Sequence, residues 1–251
     1  MSHDLSDLNI LITGSGRGLG RAAALHLASL GATIAVVDIK GLSAEHVAEE
    51  IIAVGGKAHG YQADLSSQEA FREVAEEFAN KTGRIDAVVN NAAVLRYEPI
   101  EAVTEETVDL MLGAGLKAAY WGAQALLKHM DPERGGSIVS YSSPVAFRGY
   151  PNSAIYSSIK GAVAAMTRTL AAELGPRKVR VNALAPGSVP TPATAGVVDE
   201  AEYDRRRRTI PLRRLGQESD NNNALAFLLS KDAEFINGIV LHVDGGIAAS
   251  N

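Results

Sequence analysis

Tyr156 and Lys160 stand four residues apart in the stretch Tyr156-Ser157-Ser158-Ile159-Lys160. On a helix that spacing puts both side chains on one face. An ammonium beside a phenol favours the phenolate, so the tyrosine pKa is expected to fall from its usual value near ~10. A phenol tuned in this way exchanges a proton with an alcohol or a carbonyl near neutral pH. The pair alone carries little weight, because Tyr and Lys at this spacing usually form a solvated surface contact. Chemistry belongs here only if the rest of the chain builds a site around it.

The run Asn9-Ile10-Leu11-Ile12-Thr13 is apolar, short and stopped by glycines, which predicts a buried strand. Gly14-Ser15-Gly16-Arg17-Gly18-Leu19-Gly20 follows, then an Ala- and Leu-rich helix over 21–30 that Gly31 ends. Thr33–Asp38 reads as a β-branched second strand closed by an acid. The alternation continues with a helix over 43–54, a strand over 57–62, a helix over 68–81 and a strand over 86–90. Alternating strands and helices predict a parallel sheet covered on both faces. The expected fold class is therefore α/β: a Rossmann-type, doubly wound parallel sheet with helices on both faces. Ligands of such sheets bind outside the carboxyl ends of the strands. Each candidate residue below follows a strand or opens a helix.

The totals agree with one domain spanning all 251 residues. The chain is 46% hydrophobic and 21% charged, with 9 prolines and no low-complexity tract that would act as a linker. A formal net charge of -5 argues against nucleic acid or an anionic membrane as partner. Without cysteine there are no disulfides and no thiolate metal sites, and the six histidines lack ligand spacing. The first residues are polar and acidic, unlike a signal peptide, and no apolar run approaches the ~20 residues of a membrane span. A cytoplasmic protein is expected.

The glycines between the first strand and helix let a backbone approach a pyrophosphate, which the helix N-terminus favours. Asp38 ends the second strand, where a carboxylate accepts hydrogen bonds from ribose hydroxyls and repels the extra phosphate of NADP. Arg17 pulls the other way, but the acid weighs more, so NAD is expected over NADP. The spacing Gly14-x-x-x-Gly18-x-Gly20 resembles the loop of the short-chain dehydrogenases/reductases, and the likeness covers nearly the whole chain. Asp64-Leu65 looks like the pair that holds the adenine in that family. Asn90-Asn91-Ala92-Ala93 is similar to its Asn-Asn-Ala-Gly turn, with Ala93 replacing the glycine. Ser143, Tyr156 and Lys160 match its catalytic triad, Ser143 standing thirteen residues before Tyr156. Pro186-Gly187-Ser188-Val189-Pro190-Thr191-Pro192 looks like the segment that caps the nicotinamide, with Val189 and Thr191 on the carboxamide. His242-Val243-Asp244-Gly245-Gly246 fits the closing strand. The cofactor contacts that the resemblance implies are Gly14, Arg17, Gly18, Leu19, Gly20, Asp38, Ile39, Asp64, Leu65, Asn91, Ala92, Tyr156, Lys160, Val189 and Thr191.

What the family implies is hydride transfer between a nicotinamide and a secondary alcohol or ketone. Tyr156 would be the general acid/base, Ser143 would hold the substrate oxygen, and Lys160 would lower the tyrosine pKa and bind the ribose. Ser143 could otherwise be a turn serine, since Ser142 precedes it and Pro144 follows. One departure stands out: alignment places Gly115 where the family carries an Asn that helps hold a water beside the lysine. Gly115→Asn is expected to leave activity unchanged or raise it. A substrate-covering segment is expected over 191–215, and it contains Arg205-Arg206-Arg207-Arg208 and Arg213-Arg214. Those arginines read first as a solvated face paired with Asp199, Glu200, Glu202 and Asp204, and alternatively as a grip for an anionic substrate. Arg96, Tyr97, Phe147, Arg148 and Tyr150 are expected to line the pocket, compatible with a sugar or polyol. The alternatives are a 3-oxoacyl-type ketone reductase and a catalytically weak NAD-binding regulator. The resemblance also implies a homo-oligomer, a tetramer or dimer.

Overall fold

The computed structural model describes residues 3–191 and 198–250. Among the described residues, seven strands form one parallel sheet in the order β3-β2-β1-β4-β5-β6-β7. They are β1 (Asn9–Thr13), β2 (Thr33–Asp38), β3 (Lys57–Gln62), β4 (Ala87–Asn90), β5 (Gly136–Tyr141), β6 (Val179–Pro186) and β7 (Val240–Val243). Between and after them run α1 (Gly18–Ser29), α2 (Gly41–Ala53), α3 (Gln68–Thr82), α4 (Glu105–Leu112), α5 (Ala118–His129), α6 (Ala154–Leu174), α7 (Glu200–Thr209) and α8 (Glu218–Leu229). The doubly wound α/β fold is as the sequence predicts.

Both faces of the sheet are dry, which is why its strands read as unbroken apolar runs rather than alternating ones. In β1, Ile10 and Ile12 pack with Leu27 of α1, Ile51 of α2 and Leu225 of α8. Leu11 points the other way, to Phe71 and Phe78 of α3 and Leu126 of α5. The same alternation recurs in β2, with Ile34 and Val36 on the first face and Ala35 and Val37 on the second. No helix among the described residues is long and apolar enough to cross a membrane.

Two boundaries differ from the sequence reading in ways that bear on the site. Helix α1 begins at Gly18, inside the glycine loop, rather than at residue 21. Its N-terminus has neither a side-chain cap nor an acid in the first turn, so its N–H groups are left for something else. Between α4 and α5 the chain does not break but passes through one π-helical turn, Gly113–Lys117. Such turns insert an extra residue into a helix and recur at functional sites.

The register carries the sheet's order into the loops at its carboxyl edge. Thr13 pairs with Val37, Asn90 with Ser140, and Tyr141 with Leu184, so the segments that follow these strands emerge side by side. Gly14 holds φ +63° and Gly18 φ +56°, conformations that side chains disfavour. At Gly20 the limit is space: a Cβ would overlap the Gly14 carbonyl oxygen and sit 2.5 Å from Asn91 Nδ2. Gly20→Ala is therefore expected to destabilise the protein by about 1–3 kcal/mol as an overpacked contact. Urea denaturation measures this, and an unchanged midpoint would refute the packing role.

Candidate active site

A cleft of about 1060 Å³ lies along the carboxyl edge of the sheet. One end is the glycine loop. Gly14, Arg17, Gly18 and Leu19 line it, while Gly20 does not reach the cleft and instead packs under the loop. Lacking a side chain, Gly20 lets helix and loop close on each other. Asp38 lines the same end with Ile39, its Oδ2 accepting from Gly16 N–H at 3.0 Å and its Oδ1 from Lys40 N–H at 3.1 Å. Gly16, which the sequence reading passed over, is thereby the residue that fixes the acid; a Cβ there would sit 2.9 Å from the Asp38 carboxyl. Asp64 and Leu65 form the next part of the wall.

The turn after β4 braces the loop. Asn91 Nδ2 donates to the carbonyls of Thr13 at 3.0 Å and Gly14 at 2.9 Å, and the N–H groups of Asn91 and Ala92 both donate to Thr13 Oγ1 at 3.0 Å. Asn91 and Ala92 line the cleft, but the Asn91 amide is spent on the protein itself. Neighbouring Asn90 turns inward and donates to Ser140 Oγ at 3.1 Å.

Ser143, Tyr156 and Lys160 meet at the centre of the cleft. Ser143 stands two residues past the end of β5. Tyr156 and Lys160 occupy the first turns of α6, whose entry is shaped by Asn152 at φ +62° and by Ser153 Oγ donating to Tyr150 O at 2.7 Å. Ser142 Oγ, donating to Lys160 O at 2.9 Å, ties α6 to β5. The four-residue spacing does place Tyr and Lys on one face, with Lys160 Nζ 5.6 Å from the Tyr156 ring centroid.

The expected electrostatics of that pair need correction. Lys160 Nζ donates to the Tyr141 carbonyl at 2.6 Å rather than serving the phenol, and only 4% of the residue is exposed. Burial lowers its pKa to about 8. Tyr156 keeps part of its surface open to the cleft, yet burial pushes its pKa up, and Tyr97 adds to the rise. The Ser143 hydroxyl counters weakly by hydrogen bonding. Desolvation sets the direction of the tyrosine's shift, while the ammonium is engaged by the Tyr141 carbonyl.

Gly115 sits in the π-helical turn, buried, and a Cβ there would meet Ile159 Cγ2 at 3.0 Å. An Asn at this position needs Ile159, the neighbour of Lys160, to yield by a few tenths of an ångström.

The far end of the cleft is lined by Tyr97, Arg148, Tyr150, Val189, Thr191, Arg205 and Arg206. Two expected lining residues lie elsewhere. Arg96 Nη1 donates to Thr107 Oγ1 at 3.1 Å, and Phe147 packs edge-on against His242 at 4.9 Å in a separate groove. Pro192 and the rest of 192–197 fall outside the described residues. The sequence reading missed Asp109, Leu110 and Ala114 from the α4 side and Ile210, Ile247 and Ser250 from later segments. No motif marks these positions; only the fold brings them here. The arginines mostly follow the simpler reading: Arg205 and Arg206 pair with Glu202, Arg207 with Asp204, and Arg214 with Asp220.

With this geometry the comparisons with known proteins agree. The model of a family described as enoyl-(acyl carrier protein) reductase matches residues 14–248. A 3-oxoacyl-[acyl-carrier-protein] reductase FabG of Aquifex aeolicus is 39% identical over 238 residues, covering 94% of this chain and 96% of that one. The crystal structure of 3-ketoacyl-(acyl-carrier-protein) reductase from Brucella melitensis, complexed with NADH, superposes with a TM-score of 0.90 at 34% identity, over 97% of this chain and 99% of that one. A Beutenbergia cavernae structure described as an NAD(P) dependent gluconate 5-dehydrogenase, with NADP bound at low occupancy, gives a TM-score of 0.93 at 36% identity over the full length of both chains. The parallel sheet, the cleft at its carboxyl edge and these likenesses across nearly the whole chain make this protein a member of the short-chain dehydrogenase/reductase family, an oxidoreductase of CH–OH and keto groups.

Proposed function

We propose that the protein transfers a hydride between NAD and a small secondary alcohol or ketone. The observation that carries this reading is that Ser143, Tyr156 and Lys160 share one cleft with the glycine loop and Asp38. The residues present fit a dinucleotide: the uncapped N-terminus of α1 and the glycines at positive φ leave room and N–H donors for a pyrophosphate. A nicotinamide bound there would supply the hydride acceptor or donor. Asp38, held by the Gly16 and Lys40 N–H groups, would receive the ribose hydroxyls and oppose a 2′-phosphate. Exposed Arg17 at the same end is weaker opposition, being free to swing into solvent.

In this reading Ser143 holds the substrate oxygen and Tyr156 passes a proton to or from it. The FabG likeness supports ketone reduction as a second reading beside alcohol oxidation. Because Ser143, Tyr156 and Lys160 are all present and converge, an enzyme is better supported than a regulator that merely binds NAD. The gluconate 5-dehydrogenase likeness and the hydroxyl-lined cleft support including sugars and polyols among trial substrates. Assembly as a dimer or tetramer belongs to the same proposal, and light scattering reads it directly.

Three outcomes test this reading. Tyr156→Phe is expected to lower kcat by at least ~10²–10⁴-fold, the range for a lost general acid. NAD affinity, followed by titration calorimetry, should stay within about threefold; unchanged turnover in this variant would refute the mechanism. In steady-state kinetics kcat/KM with NAD should exceed that with NADP by at least about tenfold, and a preference for NADP would sink the cofactor assignment. The third outcome is a pH dependence. The Lys160 pKa is about 8 in the folded protein, below its unfolded value of about 10.4, so its burial cost is complete below pH 8 and fades as pH rises from there. Lys160→Met in the ligand-free protein should gain stability at pH 7, on the order of 2–3 kcal/mol less the lost hydrogen bond to Tyr141, with the gain shrinking by pH 10. Denaturation at both pH values measures it, and a gain that grows with pH contradicts the argument.

A further inference from the structure

Arg206 is unlike the other members of the arginine run. Its side chain is 18% exposed, whereas that of Arg205 is 58% exposed. Three of its nitrogens donate within the protein: Nε to Glu202 Oε1 at 2.7 Å, Nη2 to Tyr150 Oη at 2.7 Å, and Nη1 to Ser188 Oγ at 3.3 Å. Tyr150 Oη donates in turn to Glu202 Oε1 at 2.9 Å, which closes a ring of three side chains. Arg205 reaches the same carboxylate from the solvent side, with Nε to Oε2 at 2.6 Å and Nη2 to Oε1 at 2.7 Å. The ring joins helix α7 to the segment before α6 that carries Tyr150, and Arg206 extends the link to Ser188 in the segment after β6.

The ring also touches the reaction centre. The Tyr150 ring lies 5.5 Å from that of Tyr97, and Tyr97 stands edge-on to Tyr156 at 6.2 Å and 88°. Tyr150 therefore packs on Tyr97, and Tyr97 forms the cleft wall beside the phenol that would meet substrate. The fork of a guanidinium suits such a junction, since it engages a carboxylate and a phenol at fixed angles. With Nε, Nη1 and Nη2 so engaged, Arg206 is poorly free to grip an anionic substrate, and its burial serves the protein's own shape.

We propose that Glu202, Arg206 and Tyr150 form a positioning ring that docks α7 over the substrate end of the cleft and fixes Tyr97 against Tyr156, so that it governs how substrate is held. The kinetic part of this proposal rests on the hydride-transfer reading above; the docking of α7 does not. Glu202 is held ionised down to a pKa of about 2 by Arg205 first, with Arg206 and Tyr150 assisting, so the ring keeps its charges through the working pH range.

The test compares wild type, Tyr150→Phe, Arg206→Gln, Arg206→Lys and the Tyr150→Phe/Arg206→Gln double variant, each saturated with NADH. Amide hydrogen exchange is read over 200–209, with α8 as internal reference. Loss of the ring should speed exchange in α7 about tenfold or more and leave α8 unchanged. On the best substrate from a panel of alcohols and ketones, KM should rise on the order of tenfold, with kcat and NADH affinity within about twofold. Arg206→Lys restores the charge but not the fork and should not rescue KM. The double variant should be no worse than the more damaged single one, because both break the same ring. The proposal is overturned if α7 exchange is unchanged, if the two substitutions add independently, or if NADH affinity falls as far as KM rises. Absence of turnover with every panel member in wild type would count against hydride transfer, and α7 exchange would then decide the ring by itself.

Discussion

The end of β1 and the end of β4 are held together by one side chain, and the cleft depends on that clamp. Asn91 Nδ2 reaches the carbonyls of both Thr13 and Gly14, where the glycine loop leaves the sheet. The strand order turns about β1 and β4, so helices leave to opposite faces and a crevice opens between them. Without the amide, both carbonyls would lose a donor at that crevice. Thr13 Oγ1 completes the clamp by accepting from two successive N–H groups. Gly14 and Gly20 are the corresponding absences: each leaves the space into which the facing backbone comes.

A second constraint sets the chemistry of the centre. The Tyr156 and Lys160 side chains share one face of α6, and simple charge reasoning has the lysine pulling the phenol down. Burial instead acts on both, raising one pKa and lowering the other, because each charged form loses water and neither fully replaces it. The Tyr141 carbonyl at the end of β5 takes the lysine's proton donor meanwhile. Below about pH 8 the resting site thus holds a buried ammonium bonded to a carbonyl rather than to an acid, and a bound ligand with hydroxyl groups has polar atoms to satisfy rather than a salt bridge to break.

The sheet, its helices and the three central residues were legible because each left a local mark: apolar runs between glycines, an acid closing β2, a Tyr–Lys spacing and a Ser at the right distance. The direction of the tyrosine's pKa was not legible, since it depends on how much protein surrounds the phenol, which no spacing encodes. The Arg96 and Phe147 assignments failed for a related reason. Both lie in loops near the cleft, but one found Thr107 and the other His242, and proximity in sequence does not tell which way a side chain turns. Asp109 and Leu110 come from the middle of the chain and Ile247 and Ser250 from its last residues, and they meet at the cleft only through the fold. Within the arginine run, composition could not separate Arg206 from its neighbours; the helical phase of α7 does.

The π-helical turn at Gly113–Lys117 gives α4 and α5 separate tasks on one continuous rod. Each residue rotates a helix face by about 100°, so one surplus residue turns everything after it by that amount. Upstream, Asp109 and Leu110 border the cleft; downstream, Ala118, Ala123 and Leu126 lie against the sheet. A loop could make the same change of facing, but it would expose peptide groups beside a buried lysine. The turn changes facing without opening the backbone, so Gly115 meets Ile159, the neighbour of Lys160, from a helix that stays closed.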